Sequence, residues 1–181
     1  SQTGAVIING SLFVNGNWAG EAKIVTYNTA GYDLTVNGTI EIGYGDDTGL
    51  KTFDATNSAV SVSGNFKVVP VGAGSAQAIT VMTGSTATFN GTADQTITSS
   101  GSSFDNVTLN NTGTNGSIDN IFIADALDID GDLLITDGVL DTTASNYAVT
   151  VVGNITDTVA GRFKANASTI SVDGDFTLDA N

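Results

Sequence analysis

The chain of 181 residues contains no cysteine and no histidine, and it has a single proline. Without cysteine, disulfides and thiolate metal sites are excluded. Without histidine, Ser–His and Cys–His nucleophiles and imidazole metal sites are excluded as well. These absences remove the most common hydrolase chemistries, so we expect the protein not to be an enzyme.

Charged residues are also scarce, at 13% of the chain, about half the usual globular share. They are unbalanced, with 19 acidic against 5 basic residues and a net charge of −14. A chain with so few basic residues forms no basic patch, so we expect no nucleic-acid partner. No apolar run reaches the roughly 18 residues of a membrane-spanning helix, so we expect no membrane span.

In place of charged residues the chain is rich in glycine, threonine, asparagine, serine and aspartate. Its hydrophobic fraction is 40%. These polar residues favour turns and strands and weaken helices. Because the hydrophobic share is sufficient for a continuous core, disorder is not expected. The composition therefore predicts an all-β protein with almost no helix.

One short phrase recurs along the chain: apolar, any residue, apolar, any residue, glycine, small or polar, apolar. Full copies are LFVNGNW at 12–18, LTVNGTI at 34–40, VSVSGNF at 60–66, LDIDGDL at 127–133, VTVVGNI at 149–155 and ISVDGDF at 170–176. Partial copies occur at 6–12, 87–93 and 107–113. In the last of these, Asn111 takes the glycine position, where we expect a left-handed backbone, which asparagine tolerates.

These turn positions are regularly spaced. They are Gly16, Gly38, Gly64, Gly91, Asn111, Gly131, Gly153 and Gly174. The spacings of 20 to 27 residues match the coils of a solenoid and are too short for propeller blades. Alternation of apolar and polar residues on both sides of the glycine indicates about three short strands per coil. The pattern predicts a right-handed parallel β-solenoid, with coils of about 20–27 residues.

Stacked coils place like residues above one another, which yields explicit expectations. Phe53 and Phe163 should be equivalent, and Phe66, Leu133, Ile155 and Phe176 should form one column. The alternative is an antiparallel β-sandwich, which also has short strands and frequent turns. We expect residues 1–181 to form one domain, with an irregular coil or loop at 67–86, where the single proline lies.

Several phrases resemble the repeats of large bacterial surface and secreted proteins of the filamentous-haemagglutinin and autotransporter-passenger type. They are LTVNGTI at 34–40, TFNGTADQTI at 88–97, FDNVTLNN at 104–111, and the phrase that begins GVLDTT at 138 and ends VTV at 151. The resemblance implies a parallel β-helix, an exported location at the cell surface or outside the cell, and roles in adhesion, matrix or filament formation. It implies no catalytic residue.

Calcium is the cofactor that the acidic residues allow. Asp128, Asp130 and Asp132 are closely spaced, and stacking against Asp173 and Asp175 of a later coil would form a weak oxygen site. A second candidate pair is Asp46 and Asp47. Neither run has the spacing of an EF-hand loop, and aspartate also caps turns and keeps surfaces soluble. We therefore expect no cofactor, with weak calcium binding at Asp128, Asp130, Asp132, Asp46 and Asp47 as the alternative.

Catalysis is a further alternative function, which would use charged side chains on the outside of the solenoid. Arg162 and Lys164 should point outward from one strand near Asp157, as in a polysaccharide lyase, and paired aspartates are the groups that glycosidases use.

We expect a non-enzymatic extracellular structural protein, either a self-assembling filament subunit or a section of a repetitive adhesin. Its partners would be copies of itself stacked end to end, and cell-surface or matrix polysaccharide. The competing interpretation is a module that binds carbohydrate or a host surface through loops near 41–49 and 67–86.

Overall fold

The computed structural model describes residues 4–15, 24–43, 49–69, 78–113, 119–158 and 160–179. Within these ranges the chain forms strands, turns and bends, and none of these residues forms a long apolar helix of the kind that crosses a membrane. The strands, in chain order, are β1 (Val6–Ile8), β2 (Leu12–Val14), β3 (Val25–Asn28), β4 (Leu34–Val36), β5 (Ile40–Ile42), β6 (Lys51–Asp54), β7 (Ala59–Val62), β8 (Phe66–Val68), β9 (Ala78–Val81), β10 (Thr86–Phe89), β11 (Gln95–Thr98), β12 (Asn106–Asn110), β13 (Asn120–Ile123), β14 (Leu127–Ile129), β15 (Leu133–Asp141), β16 (Val149–Val151), β17 (Ile155–Asp157), β18 (Gly161–Lys164), β19 (Ile170–Val172) and β20 (Phe176–Thr177).

The strands stack in parallel on three faces of a solenoid. Face 1 contains β1, β4, β7, β10, β12, the first half of β15, β17 and β20. Face 2 contains β2, β5, β8, β11, β13, the second half of β15 and β18. Face 3 contains β3, β6 and β9 and, separately, β14, β16 and β19.

Each coil visits face 1, face 2 and face 3 in turn, and the same order repeats along the stack. Every strand pair among the described residues is parallel. The predicted β-solenoid is therefore confirmed, and the antiparallel sandwich is wrong. Partner residues in adjacent coils of face 1 lie between 20 residues apart (Ala87 and Val107) and 28 apart (Val6 and Leu34).

The core is the column of apolar side chains enclosed by the three faces. Inward-facing residues such as Val36, Ile40 and Ile155 have no measurable exposure. Near the middle, the ring of Phe66 packs on those of Phe53, Phe89 and Phe104, with centroid separations of 6.3, 6.4 and 5.2 Å. Because the strands inside the stacks of faces 1 and 2 also pair with the coils above and below them, burial and backbone hydrogen bonding are satisfied by the same stacking.

The glycines of the phrase lie where adjacent coils approach each other most closely. Gly64 N–H donates to Gly38 O at 3.0 Å, and a Cβ on Gly64 would lie 2.7 Å from the carbonyl carbon of Gly38. Gly153 N–H donates likewise to Gly131 O at 2.9 Å. None of these four residues has a positive φ, so glycine is required by the lack of space for a side chain.

The predicted single column of turn residues is wrong, because the phrase uses two different corners. Gly38 and Gly64 join face 1 to face 2, a position we name corner 1–2. Gly131, Gly153 and Gly174 stack where face 3 leads to face 1, which we name corner 3–1. Gly16 lies outside the described residues.

The predicted columns of large apolar residues need the same correction. Leu133, Ile155 and Phe176 do pair with one another on face 1, as predicted. Phe66 does not belong with them, because it pairs with Ile40 on face 2. Phe53 and Phe163 are equivalent in the phrase but not in the stack, since Phe53 lies on face 3 and Phe163 on face 2.

Asn111 takes the glycine position of the phrase, as predicted, and lies at corner 1–2 opposite Gly91. The predicted left-handed backbone is wrong, because its φ is not positive. Its side chain is completely buried, and Nδ2 donates to Ala93 O at 2.7 Å and to Gln95 Oε1 at 3.2 Å. Asn111 therefore fills the corner with a satisfied buried amide.

The segment 67–86, expected to be an irregular coil or loop, includes regular structure. Residues 67 and 68 end β8, and Ala78–Val81 forms β9 on face 3. A turn with Gly84 at φ 69° then leads to β10. Residues 70–77, which include the proline, lie outside the described part of the chain.

Candidate functional site

The three aspartates of the predicted calcium run lie on the outside of the solenoid near corner 3–1. Asp128 is exposed on β14, opposite Thr150 of the next coil. Asp130 is exposed and accepts a hydrogen bond from Ser103 Oγ at 2.8 Å. Asp132, also exposed, follows the glycine of the corner. The three side chains thus occupy successive positions around one corner and have different partners.

Asp132 is part of a ladder that links the coils. Its Oδ1 accepts hydrogen bonds from the Asn154 backbone N–H at 2.7 Å and from Asn154 Nδ2 at 3.1 Å. Asn106 Oδ1 accepts from Asp132 N–H at 3.0 Å, and Asn154 Oδ1 accepts from Asp175 N–H at 2.8 Å. Each side chain in this ladder caps a backbone donor of the following coil, which is a structural role.

The same ladder exists at corner 1–2 with other residues. Ser11 Oγ accepts from Thr39 N–H at 3.0 Å, Thr39 Oγ1 from Asn65 N–H at 3.3 Å, and Asn65 Oδ1 from Thr96 N–H at 2.8 Å. The residue after the corner glycine therefore has one function in both parts of the molecule. The phrase did not reveal this role, although a short polar residue occurs at that position in each copy.

Asp173 and Asp175 do not lie directly against the first aspartates. Asn154 separates Asp132 from Asp175 in the column, and Val152 separates Asp130 from Asp173. The carboxylates are therefore two strand spacings apart, or about 9.5 Å. In the described part of the chain, no three His, Cys, Asp or Glu side chains are grouped so that they could hold a metal ion. Asp46 and Asp47 lie outside the described residues, and calcium binding stays a prediction.

Arg162 and Lys164 both point outward from β18, as predicted. Lys164 Nζ does not pair with Asp157 but with Asp141 Oδ2 of the preceding coil, at 2.8 Å. Asp157 instead accepts the backbone N–H of Asp179 at 2.5 Å. The arrangement joins the strands of successive coils.

The carboxylate of Asp141 is almost completely buried, with 7% of the side chain exposed. It accepts further hydrogen bonds from Thr143 N–H and Asn166 Nδ2, each at 2.7 Å. Burial by itself raises the pKa of Asp141, but the hydrogen bonds from Lys164, Thr143 and Asn166 and the charge of Lys164 outweigh it and lower this pKa below its usual value. The carboxylate is thus held in its ionised form.

A pocket that the sequence did not predict opens on face 3. The sheets β3-β6-β9 and β14-β16-β19 are separate, and the coil between them contributes only an isolated bridge from Phe104 to Ile129. The gap forms a depression of 240 Å³. Its lining combines apolar side chains, hydroxyls and two carboxylates: Val81, Met82, Thr83, Ser103, Asp105 and Asp130.

The coils at the two ends of the described stack have less covered cores than those inside it. Phe176 continues the column of Ile155, but it is 47% exposed whereas Ile155 is fully buried. At the other end, Ile8 pairs with the fully buried Val36 and is itself only partly buried. In the outermost described coils, apolar side chains are thus more exposed than their partners one coil further in.

Comparison with known proteins adds no relative to this description. No protein-family model matches the chain, and neither the curated proteins nor the solved structures include a match.

Proposed function

We propose that this chain is a non-enzymatic structural section of an exported surface or matrix fibre, and that copies of it stack end to end. The observation that carries the proposal is the pair of incompletely covered end coils. Phe176 and Leu178 are 47% and 52% exposed, although both follow the inward-facing column of Ile155 and Asp157 on face 1. Another parallel coil laid on this end would bury them.

The edges support the same interaction through backbone hydrogen bonds. A parallel strand at the end of a stack has one row of donors and acceptors without a neighbouring strand, which favours addition of another strand. The corner ladder also continues naturally, because Asp175 is the last member of the series Asn106, Asp132 and Asn154. A coil added at this end would offer backbone N–H groups to its carboxylate.

The sequence argues against catalysis, because it has no histidine or cysteine and only five basic residues. Of these, Lys67 pairs with Glu41 at 3.3 Å and Lys164 with Asp141 at 2.8 Å, so both take part in contacts between coils. The exported location rests on the resemblance to surface and secreted β-helix proteins.

The proposal is tested by the assembly state of the purified chain over a concentration series, measured by light scattering and negative-stain electron microscopy. We expect rods that lengthen with concentration at constant width. Phe176→Asp should shorten them strongly, because it places a charge in the end-to-end contact. Leu178→Asp should act in the same direction.

The matched control is Val152→Asp. Val152 is 49% exposed, close to the value for Phe176, but it lies at corner 3–1 where the phrase has aspartate in two other coils, at Asp130 and Asp173. It should leave assembly unchanged. A chain that remains monomeric at every concentration, or equal loss of assembly in the control, would refute end-to-end stacking.

A further inference from the structure

The pocket on face 3 exists because one coil lacks a strand there. The residues of that coil pair only with the following coil, since Phe104 N–H donates to Asp128 O at 3.0 Å and Asp130 N–H donates to Phe104 O at 2.8 Å. Towards β9, the contact is a side-chain hydrogen bond from Thr80 N–H to Ser102 Oγ at 3.3 Å. The missing strand therefore leaves a gap between β9 and Ser103.

The walls of this gap differ in chemistry. Val81 and Met82 supply an apolar side, and Thr83 and Ser103 supply hydroxyl groups beside it. Thr83 is exposed and Ser103 is half-buried, so a ligand in the pocket can reach both hydroxyls.

Two carboxylates stand at the same pocket. Asp105 accepts hydrogen bonds from Gly84 N–H and from Asn106 Nδ2, and Asp130 accepts one from Ser103 Oγ. Neither forms an ion pair with a basic side chain in the described ranges, where the ion pairs join Lys67 to Glu41 and Lys164 to Asp141. Two negative charges on a protein of net charge −14 favour a cationic ligand.

We propose that this pocket binds a protonated amino sugar, as a residue of a surface or matrix polysaccharide. The volume of 240 Å³ is below the range of about 300–1,000 Å³ for larger organic ligands and suits a single sugar ring. The ammonium group pairs with Asp105 and Asp130, the ring face lies on Val81 and Met82, and the sugar hydroxyls bond to the threonine and serine side chains.

A lysine side chain from a basic partner protein carries the same charge but fits the pocket less well. Its methylene stem offers no hydrogen-bonding groups to the hydroxyls of Thr83 and Ser103, whereas the hydroxyls of a sugar ring do. The amino-sugar site is independent of end-to-end stacking, because none of its residues lies in the end coils.

Met82 makes the test direct, since it is the only methionine of the chain. With 13C-methyl methionine, its single NMR signal reports on the pocket. The probes are a glucosamine oligomer, its N-acetylated counterpart of equal length, and a lysine oligomer, at about pH 6, where an amine of pKa near 8 is protonated, and near-physiological salt. We expect the glucosamine oligomer to shift this signal in a saturable way and the other two probes to leave it unchanged.

Asp130→Asn should weaken binding at least about tenfold, as expected from loss of a charge-assisted contact of about 1.4 kcal/mol. The matched control is Asp173→Asn, which removes the same charge from the corresponding position of corner 3–1 two coils away. It should bind as the unmodified chain does. Ser103→Ala provides a second pocket variant should Asp130→Asn fold poorly.

Equal binding of the N-acetylated oligomer would overturn the role of the ammonium group, and equal weakening by Asp173→Asn would reduce the interaction to general charge attraction. A shift produced by the lysine oligomer alone would assign the pocket to a basic protein instead. Absence of any shift would refute the site without bearing on fibre assembly.

Discussion

Two stretches of the chain, FDATNSAVSVSGNF at 53–66 and LDTTASNYAVTVVGNI at 140–155, are close copies in sequence but occupy different parts of the solenoid. Both form a strand, a turn, a strand, a corner glycine and a further strand. The first starts on face 3 and ends on face 2, whereas the second starts on face 2 and ends on face 1. The same local structure has thus moved by one face between the two halves.

The turns show how closely the local structure is preserved. In the first stretch, Asp54 Oδ1 accepts the N–H of Thr56 at 3.1 Å, and Asn57 follows at φ 56°. In the second, Asp141 Oδ1 accepts the N–H of Thr143 at 2.7 Å, and Thr143 itself has φ 63°. A side-chain carboxylate that caps the turn two residues later is a local interaction. It therefore forms on either face.

The change of face is accommodated in the coils between the two copies. There the side chain of Gln95 is buried, donates to the carbonyls of Val62 and Gly64, and accepts the N–H of Gly91 at 2.9 Å. Asn111 of the next coil donates to the same Gln95 oxygen. The comparison teaches that a repeat of this kind determines a corner and its flanking strands, while the intervening residues determine which corner it becomes.

Substitution of the corner glycines has the largest expected effect on stability. It tests whether glycine is required for the same steric reason in both halves of the chain. Gly64→Ala and Gly153→Ala should each destabilise the fold by about 2–4 kcal/mol, because the added Cβ meets backbone atoms of the coil below. For Gly153 the nearest backbone atom is Gly131 O at 2.6 Å. The measurement is the urea midpoint with its slope.

Gly10→Ala is the control for both variants. Gly10 precedes Gly38 in the column of corner 1–2, but a Cβ there meets nothing within 4 Å, and its φ is not positive. Its stability should change by no more than about 0.5 kcal/mol. Similar losses at all three glycines would contradict the close approach of coils at these corners.

Gln95→Ala removes the buried hydrogen bonds that join the coils between the two copies. It leaves the Gly91 N–H and the Gly64 carbonyl without their buried partner and the Val62 carbonyl with the Asn90 N–H alone, which should cost about 2–3 kcal/mol. Hydrogen exchange should accelerate at the Gly91 amide and stay slow at the Gly153 amide. Thr96→Ala, beside it on the outer surface, is the control and should leave both rates unchanged. Equal acceleration at both amides would mean that the halves open as one unit.

Asp141→Asn and Asp54→Asn, at corresponding positions of the two copies, should give a smaller effect that depends on pH. At pH 7 the loss at Asp141 should be about 1–2 kcal/mol, because its partners include the charged Lys164. Asp54 bonds to the uncharged Asn28 and Thr56, so its replacement should cost less.

The sign of the pH dependence follows from the lowered pKa of Asp141. The ionised carboxylate stabilises the folded chain above the unfolded-state pKa of about 3.9, and this contribution is lost as the pH falls through the lower folded-state pKa. The difference between the unmodified chain and Asp141→Asn should therefore shrink below about pH 4. A difference that stays constant from pH 7 to about pH 2.5 would contradict an ionised Asp141. The measurement is urea unfolding at the two pH values.

The sequence was sufficient to predict the fold class, because period-two alternation and a recurring glycine are local signals that survive in every coil. It also predicted the outward positions of Arg162 and Lys164, which follow from the alternation along β18. It misplaced Phe66 and Phe163, because sequence similarity to another copy of the phrase does not specify the face on which a strand stacks.

Only the tertiary structure determines which residues of adjacent coils lie opposite one another, and which contacts follow from that alignment. The recurrence of glycine at Gly64 and Gly153 was readable from the repeat. The partners of Gln95, the pairing of Lys164 with Asp141 and the gap beside β9 were not. Each depends on which coil lies above and below, and that alignment is set by coil lengths that range from 20 to 28 residues. A short sequence pattern such as the glycine phrase does not determine those coil lengths.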